Sequence, residues 1–401
     1  MTGLSRQERR LLEPIEQQSM LDRVLDWAAL NTGTGNLGGL AMMAGRLADA
    51  FSVLPGKLAL RDPDPVEAVG ADGRIASRAH GRHLVLRVRP GAARRVLLTG
   101  HMDTVFAPDH FFQQCDWLDA ATLRGPGTSD MKGGIALMLS ALEAFEKTGP
   151  RLGYDVLINS DEETGSSSSA GAIRELAAGK IAALTYEPAL PGGAMAKARP
   201  GSGNFAAVVK GCAAHAGRNP EDGRNALVAA ADLALRLARS RRDALGINPA
   251  RIDGGGPDNL VPDLAVLRFN MRPCREEDAA DAASLVDRTI MEVAREHDVQ
   301  IHLHGAFGRP PKRVGEATER LFAMVSRASA DLGEPLTWQD TGGVCDGNNI
   351  AACGLPVIDT MGARGGNIHS PGEFLLVDSL SERARLSALV LHRLDRGEIL
   401  P

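Results

Sequence analysis

The fold class predicted by this sequence is α/β: a sheet flanked by helices, with a smaller unit of split βαβ (ferredoxin-like) order set into it. Three observations predict it. Short apolar runs alternate with helix-periodic segments between residues 83 and 186, and again near the C-terminal end. A middle stretch follows the order strand–helix–strand–strand–helix–strand. Breaks rich in glycine and proline, at 192–203 and 308–311, bound that stretch on both sides. Alternating strands and helices build layered, largely parallel sheets, because each helix covers a sheet face.

Apolar positions recur at helical spacing over 20–30 and 40–51, and Pro55 closes the second helix. HLVLRV (83–88) and RVLLT (95–99) read as strands separated by Pro90 and Gly91. A helix at about 133–145, a strand at 154–159, a helix at 170–178 and a strand at 182–186 complete the first α/β run. Past the first break, a strand at 205–210, a helix at 225–239, strands near 251 and at 264–272, a helix at 276–296 and a strand at 299–304 form the compact unit. A strand at 356–359 and a closing helix at 379–393 return to α/β texture. The expected division is 1–200 and 312–401 for the larger unit, with 201–311 inserted as a lid.

At 401 residues the chain exceeds what one core usually serves, which agrees with two units. A net charge of −5 makes no electrostatic case for nucleic acid or a membrane surface as a partner. No apolar run reaches the ~18 residues of a membrane span, and the charged start lacks the apolar stretch of a secretion signal. Five scattered cysteines without CxxC spacing argue against a disulfide framework and a thiolate zinc site. Reduced thiols and a cytoplasmic location are expected.

Chemistry gathers where strands end. GHMDTV (100–105) closes an apolar strand with His101 and, two residues on, Asp103. Ligands bind beyond the carboxyl ends of strands in open α/β sheets. An acid two positions away can fix the tautomer of a metal-binding histidine, although a loop-capping histidine has the same signature. GPGTSDMKGG (125–134) sets Asp130 among glycines before a helix. Its glycine order fits neither the P-loop nor the dinucleotide fingerprint, and a central acid repels phosphate. NSDEETGS (159–166) follows a strand with Asp161, Glu162 and Glu163, which read as a solvated loop or as groups aimed at a metal and a water. YEPA (186–189) puts Glu187 at another strand end, and GGNIHSPGEF (365–374) offers His369. Imidazole and carboxylate donors without thiolates suit zinc, cobalt or manganese.

These motifs, with AAHAGRNPEDGRNAL (213–227), occur in an order that resembles the dizinc glutamate carboxypeptidases, aminoacylases and desuccinylases. The resemblance spans nearly the whole chain. YEPA and the stretch TGGVCDGNNIAACGLPVID (341–359) make it most similar to the glutamate carboxypeptidase branch. It implies a zinc-exopeptidase-like mixed sheet with an inserted lid and dimerisation domain. It implies two zinc ions, one held by His101, Asp130 and Glu187, the other by Asp130, Glu163 and His369, with Asp130 bridging. Asp103 would orient His101, Glu162 would be the general base, and the Asp130–Met131 peptide would be cis. Cys345 departs from the family pattern; a packing role is expected for it rather than an adventitious ligand. The run Ser166–Ser169 reads as loop only.

The resemblance implies that the Ala213–Gly217 segment reaches the active site of a homodimer partner, which makes His215 the candidate oxyanion donor, a lid-surface or core histidine being the alternative; Asn259 is the other lid position that matches the family. Arg272, ending a strand, suits a bidentate grip on a substrate carboxylate. His80, His83, His110, His297, His302, His304 and His392 have no motif context and read as surface or core residues. The expected activity is cleavage of the amide bond to the amino group of an amino acid, by a carboxypeptidase acting on a small peptide or N-acyl-amino-acid substrate. An N-acyl-amino-acid deacylase or a dipeptidase needs the same metals and clamp. A metal-stabilised scaffold without chemistry is the remaining class, and the intact Glu162 and ligand set argue against it.

Overall fold

In the computed structural model, which describes residues 3–398, helices α1 (Arg6–Leu12), α2 (Gln17–Ala28) and α3 (Leu37–Phe51) open the chain. They are followed by β1 (Lys57–Arg61), β2 (Val66–Val69), β3 (Ile75–Arg78), β4 (His83–Val88), β5 (Arg95–His101), β6 (Asp116–Trp117) and β7 (Thr122–Arg124). Next come α4 (Gly134–Glu146), β8 (Gly153–Asn159), α5 (Ala170–Ala177), β9 (Ala182–Thr185) and β10 (Met195–Ala196). The inserted unit contains β11 (Ser202–Lys210), β12 (Ala214–His215), α6 (Ala226–Arg239), β13 (Leu245–Gly254), β14 (Leu260–Val261), β15 (Leu264–Pro273), α7 (Glu276–His297) and β16 (Gln300–Arg309). The chain closes with α8 (Glu316–Asp331), β17 (Trp338–Gln339), α9 (Asp346–Ala352), β18 (Val357–Ile358), β19 (Gly365–Gly366), β20 (Phe374–Leu376) and α10 (Asp378–Arg396).

The main sheet has the order β1-β4-β8-β5-β9-β18. It is parallel from β8 to β18, but β4 runs antiparallel to both β1 and β8. The largely parallel expectation therefore holds for one side of a mixed sheet. No helix lies between β1 and β4 to make the crossover a parallel pair requires. Every residue of β8 and β9 is buried, as both-face coverage demands, and this explains their unbroken apolar runs. α4 (GIALMLSALEAFE) is apolar nearly all round because it lies between the sheet and α10.

One register relation positions the site. In the parallel ladder His101 pairs with Asn159 and Thr99 with Thr185, so β5, β8 and β9 end at the same edge. Whatever follows each strand emerges there.

The inserted unit is a four-stranded antiparallel sheet, β13-β15-β11-β16, with α6 and α7 packed through Leu233, Leu237, Val286 and Val293. Its other face is covered by the β2–β3 hairpin, an element without a counterpart in the expected organisation. Val69 packs on Ala206, Val208 and Val266, and Arg268 Nη2 donates to the Val69 carbonyl at 2.7 Å. Both connections to the larger unit are pinned by one acid. Buried Asp359 accepts from Arg199 Nε at 2.9 Å on the entering strand and from Lys312 Nζ at 2.8 Å on the leaving one.

Candidate metal centre and active site

β5 ends on His101, whose imidazole is buried. Its Nδ1 lies 3.0 Å from the backbone oxygen of Asp103 and 3.5 Å from Asp103 Oδ1. A proton on Nδ1 satisfies that contact and leaves the Nε2 lone pair open to a cation. Nε2 lies 3.1 Å from Asp130 Oδ1 and 3.9 Å from Glu187 Oε2. The Asp103 carboxylate does a second job: it accepts the backbone N–H groups of Glu162 and Glu163, both at 3.2 Å, and the Thr34 hydroxyl at 2.8 Å. It thereby holds the turn after β8.

Asp130 sits in an irregular turn ahead of α4, and its peptide bond to Met131 is cis. Two glycines permit this arrangement. Gly127 has φ +70°, a region open to glycine. At Gly134 a Cβ would lie 2.1 Å from the Tyr186 oxygen, so α4 starts directly against the end of β9 and brings Asp130 to Glu187. On the other side of Asp130, His369 Nε2 lies 3.2 Å from Asp130 Oδ2 and 3.1 Å from Glu163 Oε2.

Two three-residue groups result: His101, Asp130 and Glu187, and Asp130, Glu163 and His369. Within each, the potential ligand atoms lie inside 4.8 Å of one another. The electrostatics of the donor set fit cations. Burial first, then the charge of Asp130, pushes Glu163 up to about 8. Burial also raises Glu187, and Glu162 is pushed up to about 7 by burial, opposed by Arg309. Burial acts on Asp130 too, but its bonds to His101 and His369 hold it well below the ordinary carboxylate range. His369 is pushed up to about 11 by its bonds to Asp130 and Glu163. Carboxylates crowded this closely repel each other, and positive charge between them relieves the repulsion.

Glu162, beside this cluster, is paired with a residue that was read only as part of a break. Arg309 is the last residue of β16 and is buried. Its Nη2 donates to Glu162 Oε1 at 2.7 Å, to the Glu162 carbonyl at 3.0 Å and to Ser166 Oγ at 2.8 Å. The signal that could have found it is a charged residue inside the Gly308–Pro311 segment, where a plain hinge needs none. The serine run is also more than loop. Ser168 and Ser169 donate to Asp161, while Ser166 donates to Asp346, which Asn159 Nδ2 also reaches at 2.6 Å. Cys345 is buried, caps α9 by accepting from the Gly347 N–H, and belongs to neither group of potential ligands.

The inserted unit holds the remaining candidates. Arg272 is exposed, and its Nη1 crosses to the Gly342 carbonyl at 2.6 Å. Partial desolvation of its guanidinium by the surrounding chain, and the nearby charge of Arg309, hold it below the ordinary arginine value. His215 and Asn259 are exposed on paired segments, His215 opposite Leu260 and the Asn259 carbonyl accepting from the Ala216 N–H. His215 Nδ1 accepts from the Gly217 and Arg218 amides. Within the single chain, neither side chain bonds to the His–carboxylate cluster among the described residues.

The chain is 30% identical over 395 residues to carboxypeptidase G2 of Pseudomonas sp. (strain RS-16), covering 96% of this chain and 91% of that protein. It is 27% identical over 329 residues to succinyl-diaminopimelate desuccinylase of Hahella chejuensis, covering 77% of this chain and 83% of that one. Its fold matches the solved structure of the di-peptidase Dug1p from Saccharomyces cerevisiae with a TM-score of 0.78, covering 98% and 99% of the two chains at 13% identity. The sequence pattern described as peptidase family M20/M25/M40 matches residues 97–393, from within β5 to the last turns of α10, so it takes in both groups of potential ligands. With that match laid over this geometry, the chain belongs to the M20/M25/M40 peptidase family, and it is a hydrolase acting on peptide or other C–N bonds.

Proposed function

We propose that this hydrolase uses two zinc ions to cleave the amide bond to the amino group of an amino acid, as a carboxypeptidase of the glutamate carboxypeptidase type. The observation that carries the reading is Asp130 standing between the two groups of potential ligands, with Glu162 alongside. His101, Asp130 and Glu187 would hold one ion, and Asp130, Glu163 and His369 the other. Metal ions bound there supply Lewis acidity toward a carbonyl and toward water. Glu162 Oε1 is engaged by Arg309, which leaves Oε2 to take the proton of the attacking water and pass it to the leaving amine. Such proton transfer contributes about 10²–10⁴-fold. Asp103 orients His101 and the Glu162–Glu163 turn together.

Arg272, with the charge of Arg309 behind it, supports a site for the substrate carboxylate. His215 and Asn259 would complete the site across a homodimer formed by the inserted unit, His215 donating to the developing oxyanion. A cytoplasmic location belongs to the same reading. The desuccinylase relative favours a second possibility, removal of an N-acyl group from an amino acid; a dipeptidase needs the same clamp.

A panel of N-acyl and N-aminoacyl amino acids, assayed on chelator-treated enzyme with zinc, cobalt or manganese restored, tests the proposal. Metal-dependent release of the free amino acid is expected, and the preferred acyl side separates carboxypeptidase from deacylase. Metal uptake without hydrolysis of any member would overturn the proposed amino-acid substrate class.

A further inference from the structure

We propose that Glu373 is a positioning residue of the metal centre: its carboxylate ties the turn carrying Asp130 to the loop carrying His369 and so sets the second metal position. The inference rests on the two-metal reading above.

Glu373 is buried, 1% exposed, immediately before β20. Its carboxylate is spent on one stretch of backbone. Oε2 accepts the Gly127 N–H at 3.1 Å, and Oε1 accepts the Ser129 and Asp130 N–H groups, both at 3.0 Å. These amides flank the irregular turn in which Asp130 has φ −114° and ψ 89°, where the backbone offers no regular helical partner of its own. The Glu373 main chain adds to the tie. Its carbonyl accepts the Gly125 N–H at 3.1 Å, and its own N–H donates to the Ser370 carbonyl at 3.0 Å.

The loop on the other side needs this anchor. Asn367 and His369 hold φ of +53° and +61°, in the left-handed region that side chains seldom occupy unless their surroundings enforce it. Within the loop, Ser370 Oγ donates to the Asn367 carbonyl at 2.7 Å and accepts the Gly372 N–H at 3.2 Å. His369 is itself exposed, so no packing fixes its ring. The β19–β20 pairing holds both ends of the loop, and the carboxylate of Glu373, four residues on, ties it to the backbone of the Asp130 turn. Asp130 and His369 come from chain positions far apart, and both face the second metal position. A carboxylate bonded to the backbone of one and rooted in the loop of the other sets their separation.

The test is metal binding by the full-length protein carrying E373Q. The amide keeps the shape but turns a donor toward either Gly127 N–H or the Ser129–Asp130 pair. Partners behind the ligands typically change metal affinity about 10–100-fold. Zinc is removed with a chelator and restored while bound metal is counted and enzyme-bound cobalt absorption is recorded. The wild type should bind two ions. E373Q should bind its second ion ~10–100-fold more weakly, with an altered cobalt spectrum, substrate KM near wild type and kcat recovering at high metal. If E373Q does not fold, E373D, with the charge kept and the reach shortened by a methylene, carries the same expectation. Equal second-site affinity and an unchanged cobalt spectrum in the folded variant would overturn the inference alone. A wild-type protein that takes up fewer than two ions would overturn the two-metal reading beneath it.

Discussion

Arg309 Nη2 lies 2.7 Å from Glu162 Oε1, so the last residue of the inserted unit's last strand grips the carboxylate next in sequence to Glu163, one of the potential metal ligands. The two residues are 147 positions apart in sequence. The same nitrogen holds the Glu162 carbonyl and Ser166 Oγ, so both the side chain and the turn beneath it answer to one guanidinium.

Replacing Arg309 with alanine leaves Glu162 buried without its cation. Arg309 draws the Glu162 pKa down against burial, so its loss moves ionisation of the proposed base to higher pH. The acidic limb of the kcat/KM profile should shift upward and activity at pH 7 should fall at least ~10-fold. Removing one partner of a buried pair also costs about 3–5 kcal/mol, read as a lower unfolding midpoint in urea. Arg309→Lys keeps the charge and should recover part of the profile. An unshifted acidic limb in Arg309→Ala would separate Arg309 from the base.

Glu162→Gln preserves volume and removes the proposed proton acceptor. Both metal ions should remain, by elemental analysis, while kcat falls by about 10²–10⁴-fold. Metal lost along with activity would make Glu162 a ligand. Full activity would remove it from the mechanism.

Without metal, the cluster makes stability depend on pH in a defined direction. Glu162 and Glu163 are raised from 4.5 to about 7 and about 8, so between these limits the folded chain binds more protons than the unfolded one. Stability contributed by these groups is present at low pH and lost as pH rises through their folded values. His369, raised to about 11, acts in the same sense, while Asp130, lowered, has its contribution complete above its unfolded value of 3.8. The melting temperature of chelator-treated protein should therefore fall between pH 5 and 8, and zinc should raise it most at pH 8. A zinc effect independent of pH over that range would show that the carboxylates are not what zinc relieves.

His215 offers the assembly test. It is exposed and unattached to the cluster in its own chain. Glu162→Gln and His215→Ala chains, each expected to be inactive alone, should regain up to about a quarter of wild-type activity when mixed under subunit exchange, because in the proposed dimer half of the pairs would be mixed and one of their two sites intact. No recovery after proven exchange would place the histidine within its own chain or outside the reaction.

Much of this protein is legible in its sequence, and the reason is local. β5, β8 and β9 show as apolar runs because both faces of the sheet are covered. The potential ligands are legible because each stands at or just past a strand end or in a glycine-rich loop, where side chains gather at the carboxyl edge of the sheet. The βαββαβ order of the inserted unit likewise needs only periodicities of two and 3.6 residues. What tertiary structure alone decided is which distant groups meet. The Arg309–Glu162 pair, the Asp359 pin on both connections and the Glu373 tie to the Asp130 turn have no local period, because each joins segments whose approach is set by packing of the whole sheet. The two-residue strand β6 and the three-residue strands β7 and β20 were too short to show alternation. The β2–β3 hairpin, half exposed along its length, found its partner only when the face of the inserted sheet was there to cover. A strand end announces where a side chain can act, but the partner that tunes it is chosen by burial, which no single segment contains.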